Sequence, residues 1–373
     1  MPSYGYGQSW NILALFGIRI KDKPRYPRRK IVLVTSGLKS PIFILYVVSA
    51  FYTIPMLISA IIQKLLEIKT LFPILITCPI SYVLWYLVFK RRRSLMNCVR
   101  ELSDFSTKKL CMVFNRAKMF NVVVTICLTV QIAYVIAMVY YLDQLEEEVN
   151  DVWTFGFSMK YDFWQNCVRF LLVCAYNFQV LTFPGFVTFL IGGMYLNCRD
   201  SLIAYEKKLL TLTKNESFLS YIMEYSNLVD IINDFNDVLS APAFAAILVH
   251  FLLMFNSVAT FLLFKNKELL PSFILENACS FSFSSGSLLW LTVTASEIHV
   301  WVKKVSTSLE DLHDKEMARS QRRRRTMSII KAMADKEIPV MSACGIVYFT
   351  RNYILSVFGG FFTYALLFIN IKD

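Results

Sequence analysis

The chain has 373 residues, 56% of them hydrophobic, a formal net charge of +12 and a mean hydropathy of +0.48. Soluble domains are about 45–50% apolar, and here the excess lies in long uninterrupted runs, so lipid rather than water is the solvent for much of the chain. Lys and Arg cluster beside those runs instead of forming a basic soluble face, which excludes a nucleic-acid partner and marks membrane topology.

Taken in order, residues 1–40 form a polar, aromatic and basic N-terminal segment without a cleavable apolar stretch. Runs near 20 apolar residues, enough to cross about 30 Å of hydrocarbon, predict spans at 41–63, 71–89, 120–142, 168–195, 243–264, 271–295 and 342–371. Pro55, Pro79 and Pro184 fall inside spans, which membrane helices tolerate. The sixth span is the most polar, with Glu276, Asn277 and several Ser. Residues 1–373 read as one all-α, seven-helix domain.

Charge orients the spans. Segments 1–40, 90–119, 196–242 and 296–341 hold 31 Lys and Arg, and the segments on the other side hold six. The bias puts the N-terminus in the cytoplasm and the C-terminus outside a plasma membrane. That argues against a G-protein-coupled receptor, whose N-terminus is outside; the Asp-Arg-Tyr and Asn-Pro-x-x-Tyr motifs are also missing.

The basic-side segments are patterned. Phe218, Tyr221, Ile222, Tyr225, Leu228, Val229, Ile232, Phe235 and Leu239 fall at helical spacing, running into the fifth span with Pro242 at the junction. Val300, Val305, Leu309 and Leu312 repeat the pattern. Either several helices extend past the bilayer and pack together, or amphipathic helices lie on its surface.

Catalytic signatures are missing. His250, His299 and His313 are dispersed, the nine Cys form no Cys-x-x-Cys pair, and no phosphate-binding or nucleophile motif occurs. No enzyme activity, cofactor or metal is expected. His250 reads as a packed or interhelically hydrogen-bonded histidine. The run Arg322 to Arg325 either binds anionic lipid or enforces topology.

The C-terminal stretch carries a resemblance. Thr363-Tyr364, five apolar residues from Ala365 to Ile369, then Asn370 and Ile371 are similar to the end of insect gustatory receptors, where Thr-Tyr and five apolar residues precede Gln-Phe. Ala343-Cys344-Gly345 also resembles that family, which shares a superfamily with insect odorant receptors. The resemblance implies a ligand-gated non-selective cation channel in a sensory neuron, a homotetramer or a heterotetramer with related receptors. Four copies of the last helix (342–371) would then line one pore. Pore and gate candidates are Thr363, Tyr364, Leu366, Leu367, Ile369 and Asn370, with the apolar members forming a constriction that gates by dewetting. Alternatively, Leu366 to Ile369 face lipid or neighbouring helices.

For a ligand, polar and aromatic residues in the outer half are the candidates: Gln131, Tyr134, Met138, Tyr141, Trp164, Tyr176, Asn177, Glu276, Asn277 and Phe281. A carboxylate within a span is costly and marks function; a water-exposed Glu276 or one paired with Lys265 or Lys267 is the alternative. The aromatic rings either stack on a tastant or anchor the membrane interface. Sugar-sensing relatives carry Glu directly after Thr-Tyr; Ala365 here favours a bitter or deterrent plant compound. Membrane lipids and permeant cations complete the expected partners. The alternatives are an odorant-type subunit needing a co-receptor, or a secondary transporter.

Overall fold

The computed structural model describes residues 68–109, 170–211 (173 apart), 218–263, 271–319 and 340–372, with single positions at 18, between 44 and 62 and between 125 and 137. The first and third expected spans therefore lie largely outside the described residues. Among the described residues five long helices dominate: α1 Ile68–Lys109, α2 Phe183–Leu210, α3 Phe218–Leu263, α4 Pro271–Arg319 and α5 Arg351–Lys372. A five-residue π-helical turn, Phe178–Thr182, leads into α2. Two short strands, β1 Ser342–Ala343 and β2 Val347–Tyr348, pair antiparallel ahead of α5.

Length has a direct consequence. α1, α3 and α4 have 42, 46 and 49 residues. At 1.5 Å per residue they reach about 63, 69 and 74 Å, twice the thickness of a bilayer's hydrocarbon. α5, with 22 residues, is about 33 Å long and matches it once. Among the described residues two helices, Phe170–Leu210 and Met223–Phe261, are by themselves long and apolar enough to cross a membrane.

α1, α3 and α4 are each apolar for about half their length and amphipathic for the rest. On α3, Tyr225, Leu228, Val229, Ile232, Phe235 and Leu239 are 0–2% exposed. Val305 and Leu309 on α4 are likewise buried, at 0% and 1%. These stripes face the bundle and not a membrane surface, so the polar halves are packed extensions. Each fully buried large apolar side chain there contributes about 1.5–3 kcal/mol. Tyr205 of α2 stacks on Tyr225 of α3 at 5.5 Å and donates its hydroxyl to the Tyr221 carbonyl at 3.0 Å. Lys208 pairs with Glu224 at 2.9 Å, and Arg199 bridges Asp200 and Glu297. Burial pulls the Arg199 pKa down, but its bonds to Glu297 and Asp200 outweigh that and raise it. One core runs through α1 to α4 and takes in Phe349, Phe361 and, from the first forty residues, Ile18.

Two prolines explain irregularities. Pro184 has no N–H to offer the Val180 carbonyl, and the preceding backbone widens: Phe183 N–H bonds to the Phe178 carbonyl, five residues back. The Gln179 carbonyl, which an α-helix would pair with Phe183, is instead capped by Ser81 Oγ of α1 at 2.6 Å. In α3, Pro242 leaves the Val238 carbonyl without its usual donor. Arg91 Nη1 of α1 supplies one at 2.9 Å and also donates to the Asp237 carbonyl.

The last helix is shorter than the expected 342–371. Residues 342–348 turn as a hairpin, because Cys344 and Gly345 take φ of +55° and +68°, which no continuing right-handed helix allows. Ile346 N–H closes the turn on the Ala343 carbonyl at 3.1 Å. The hairpin is tied to α3: Ser342 N–H donates to Asn236 Oδ1 at 2.9 Å, and Cys344 N–H to Ser240 Oγ at 2.6 Å.

Candidate ligand site and pore helix

Inside the apolar half of the bundle, polar side chains gather where α2, α3 and α4 meet. Gly185 and Gly192 are seven residues apart on α2, as are Phe283 and Trp290 on α4. A Cβ at Gly185 would stand 2.3 Å from the Phe283 ring, and one at Gly192 would stand 2.2 Å from Trp290 Nε1. The missing side chains are notches that receive two aromatic knobs, the small-residue contact typical of membrane helices. Between the notches Thr188 shares a 3.0 Å hydrogen bond with His250 Nε2 from α3. The expectation of an interhelically bonded His250 therefore holds. Its ring lies 6.4 Å from that of Phe283.

Polar capacity remains beyond these pairs. Among the described residues His250 Nδ1, Ser284 Oγ, Ser287 Oγ and Trp290 Nε1 are buried without a hydrogen-bond partner. Leaving such atoms unpaired costs about 1–3 kcal/mol each. Sequence reading missed this seam apart from His250. Its signal was the matched spacing of Gly185 and Gly192 with Phe283 and Trp290, which becomes meaningful only once α2 and α4 are known to touch.

Of the expected ligand contacts, Gln131, Met138, Tyr141 and Trp164 lie outside the described residues. Tyr134 is buried, and its hydroxyl has no partner among the described residues. Tyr134, Tyr176 and Glu276 come within electrostatic range of one another, with Cys279 beside Tyr134 and Cys78 beside Tyr176. Asn177 and Asn277 are 6% and 5% exposed, Asn177 at the entry to the π turn and Asn277 on α4. Phe281 packs elsewhere, with its ring 5.8 Å from Phe361 of α5. The geometry thus brings a carboxylate and two phenols together, with Asn177 and Asn277 next in sequence to Tyr176 and Glu276.

α5 touches the rest of the chain sparingly. Phe361 is buried, and Tyr353 and Phe358 are half-buried. Asn352, Ser356, Gly359, Gly360 and Thr363 are exposed, and so, beside them, are Leu355 and Phe362. Positions 352, 356, 359 and 363 recur at the helical period and form one small, polar stripe facing away from the subunit. Neither glycine has any atom within 4 Å of where a Cβ would stand. Thr363 Oγ1 donates to the Gly359 carbonyl at 2.8 Å. Tyr364, Leu366, Leu367, Ile369 and Asn370 continue the helix, with side chains outside the described set.

No family model matches the chain, and no curated protein sequence is significantly similar to it. Solved structures do match. The insect olfactory receptor OR5 from Machilis hrabei superposes with a TM-score of 0.66 at 11% identity, covering 99% of this chain and 100% of that one. The structure of the same receptor in complex with eugenol superposes with a TM-score of 0.58 at 12% identity and the same coverage. The likeness runs end to end, so this chain has the fold of an insect olfactory receptor. Both matched structures are of a receptor, not an enzyme.

Proposed function

We propose that this protein is an insect chemoreceptor of the gustatory type, a cation channel opened by a small organic ligand. Seven membrane spans, a cytoplasmic N-terminus and an external C-terminus go with this reading, as does assembly of four subunits, alike or related, around a central pore. The observation that carries it is the outer face of α5. A helix that met only lipid would carry the apolar character of its exposed Leu355 and Phe362 all the way round. Asn352, Ser356, Gly359 and Thr363 instead share one exposed line, which suits water and ions in a path built by several copies. The apolar continuation through Leu366, Leu367 and Ile369 supplies a constriction, and Asn370 a polar mouth.

The ligand site is the group of buried Tyr134, Asn177 and Asn277 with half-buried Tyr176 and Glu276. OR5 has been solved with eugenol, a small ligand, and a pocket of rings and amides inside an apolar bundle suits ligands of that size. Ala365 after Thr363-Tyr364 favours a bitter or deterrent plant compound over a sugar.

The test is whole-cell recording from cells expressing the full chain, with a panel of small aromatic and amine compounds. Ser356→Cys and Thr363→Cys are expected to lose at least half of the evoked current to a water-soluble thiol reagent that leaves the unsubstituted receptor unaffected. Reagent-resistant currents in both variants would remove α5 from the ion path. A second reading, an odorant-type subunit, draws on the olfactory character of the matched receptor; currents that arise only with a co-receptor would establish it.

A further inference from the structure

Arg91 belongs to the basic run Lys90–Arg93, whose charge is already accounted for by topology. Its position is not. The guanidinium reaches from α1 to α3 and donates to the carbonyls of Asp237 and Val238, the latter at 2.9 Å. Val238 lies four residues before Pro242, so its carbonyl is the one that the proline leaves without an N–H and crowds with its ring. A proline in mid-helix bends the axis, and here a side chain from another helix holds the exposed carbonyls.

Three neighbours of this joint give it a use. A narrow apolar crevice, lined by Val88, Leu95, Val187, Ile191, Leu239 and Pro242, adjoins it, so the packing around the joint is incomplete. One residue before Asp237, Asn236 accepts the Ser342 N–H, and two after Val238, Ser240 accepts the Cys344 N–H. The hairpin so held runs directly into α5, with Phe349 packed 6.3 Å from Tyr195 of α2 and Tyr353 N–H bonded to the Thr350 carbonyl. The side chains that fix the foot of α5 thus sit on the same turn of α3 that Arg91 clamps.

We propose that Arg91 is a latch on the Pro242 joint of α3, and that the 342–348 hairpin transmits the state of that joint to α5. Arg91 acts through α3 and is a positioning residue. The inference rests on the fold and goes beyond the channel reading: with Pro242 replaced by Ala, residue 242 regains an N–H for Val238, and the latch becomes redundant.

The test is amide hydrogen exchange by mass spectrometry on the purified full chain in lipid nanodiscs, comparing the unsubstituted protein with Arg91→Met, Pro242→Ala and the double variant. Arg91→Met is expected to speed exchange of the 340–350 amides by about tenfold or more, the scale of a lost hydrogen bond from a charged donor. The double variant is expected to return to within about twofold of Pro242→Ala alone, since the regained N–H takes over the role of the guanidinium. Unchanged exchange at 340–350 in Arg91→Met would overturn the transmission, even if α3 itself loosened. Equal acceleration in the single and double variants would overturn the latch. If Arg91→Met does not accumulate as folded protein, Arg91→Leu, which also lacks a donor, replaces it under the same two outcomes. None of these readouts depends on ion conduction.

Discussion

Ser81 and Arg91 both lie on α1, ten residues apart, and each caps a backbone carbonyl opened by a proline on another helix. Ser81→Ala removes the donor while the Gln179 carbonyl stays buried, so it should cost about 1–2 kcal/mol. The check is a lower thermal midpoint for the purified full chain, with Ser81→Thr close to the original. Cysteine chemistry offers a second residue-scale prediction. Burial first, then the nearby Asp234 and Glu101 carboxylates, push the Cys98 thiol up to about 11. Alkylation needs the thiolate, so Cys98 should stay unlabelled at pH 7–8 while exposed Cys344 reacts. Site-resolved mass spectrometry after brief alkylation decides this; rapid labelling of Cys98 would contradict its packed position. Neither carbonyl cap was legible in the sequence, because Pro184 and Pro242 announce that a donor is lost without saying which helix replaces it.

At the scale of elements, the contact between α2 and α4 is the most demanding. Phe283 and Trp290 are rigid rings seated where Gly185 and Gly192 lack a side chain. Gly192→Leu cannot be accommodated without parting the helices, and the expected outcome is loss of folded protein, seen as aggregation in size-exclusion profiles. Gly192→Leu combined with Trp290→Ala should recover part of it, since the ring that clashes is gone. The long helices were the readable elements. The apolar spacing from Phe218 to Leu239, continuous with an apolar span, predicted α3 within a residue or two of its observed Phe218–Leu263 extent. The extension of the sixth span through Leu312 was visible in the same way. Residues 342–350 were read as the start of the last helix because their composition is apolar. Hydropathy does not register the left-handed backbone at Cys344 and Gly345, and Ala343-Cys344-Gly345 drew notice as a family signature, not as a turn.

At the scale of the whole molecule, hydropathy conveyed a nearly all-helical chain of long apolar helices, because a membrane restricts a chain to few solutions. It did not convey how the polar halves of α1 to α4 pack into one body, which depends on pairs such as Lys208–Glu224 and Arg199–Glu297 that no local pattern reveals. The candidate ligand site was legible as a composition of outer-half polar and aromatic residues, but not as the particular meeting of Tyr134, Tyr176 and Glu276. If that group binds the ligand, Glu276→Gln and Tyr176→Ala should each raise the ligand concentration for half-maximal current by about tenfold or more, the effect of losing one buried polar or aromatic contact, with maximal current preserved. The central claim, ligand-opened conduction by this chain, is tested most directly by recording from the purified full-length protein in planar bilayers while compounds are added. The expected result is unitary, cation-selective currents whose open time grows with ligand concentration. Slow, saturable solute uptake without unitary events would contradict it and favour a transporter.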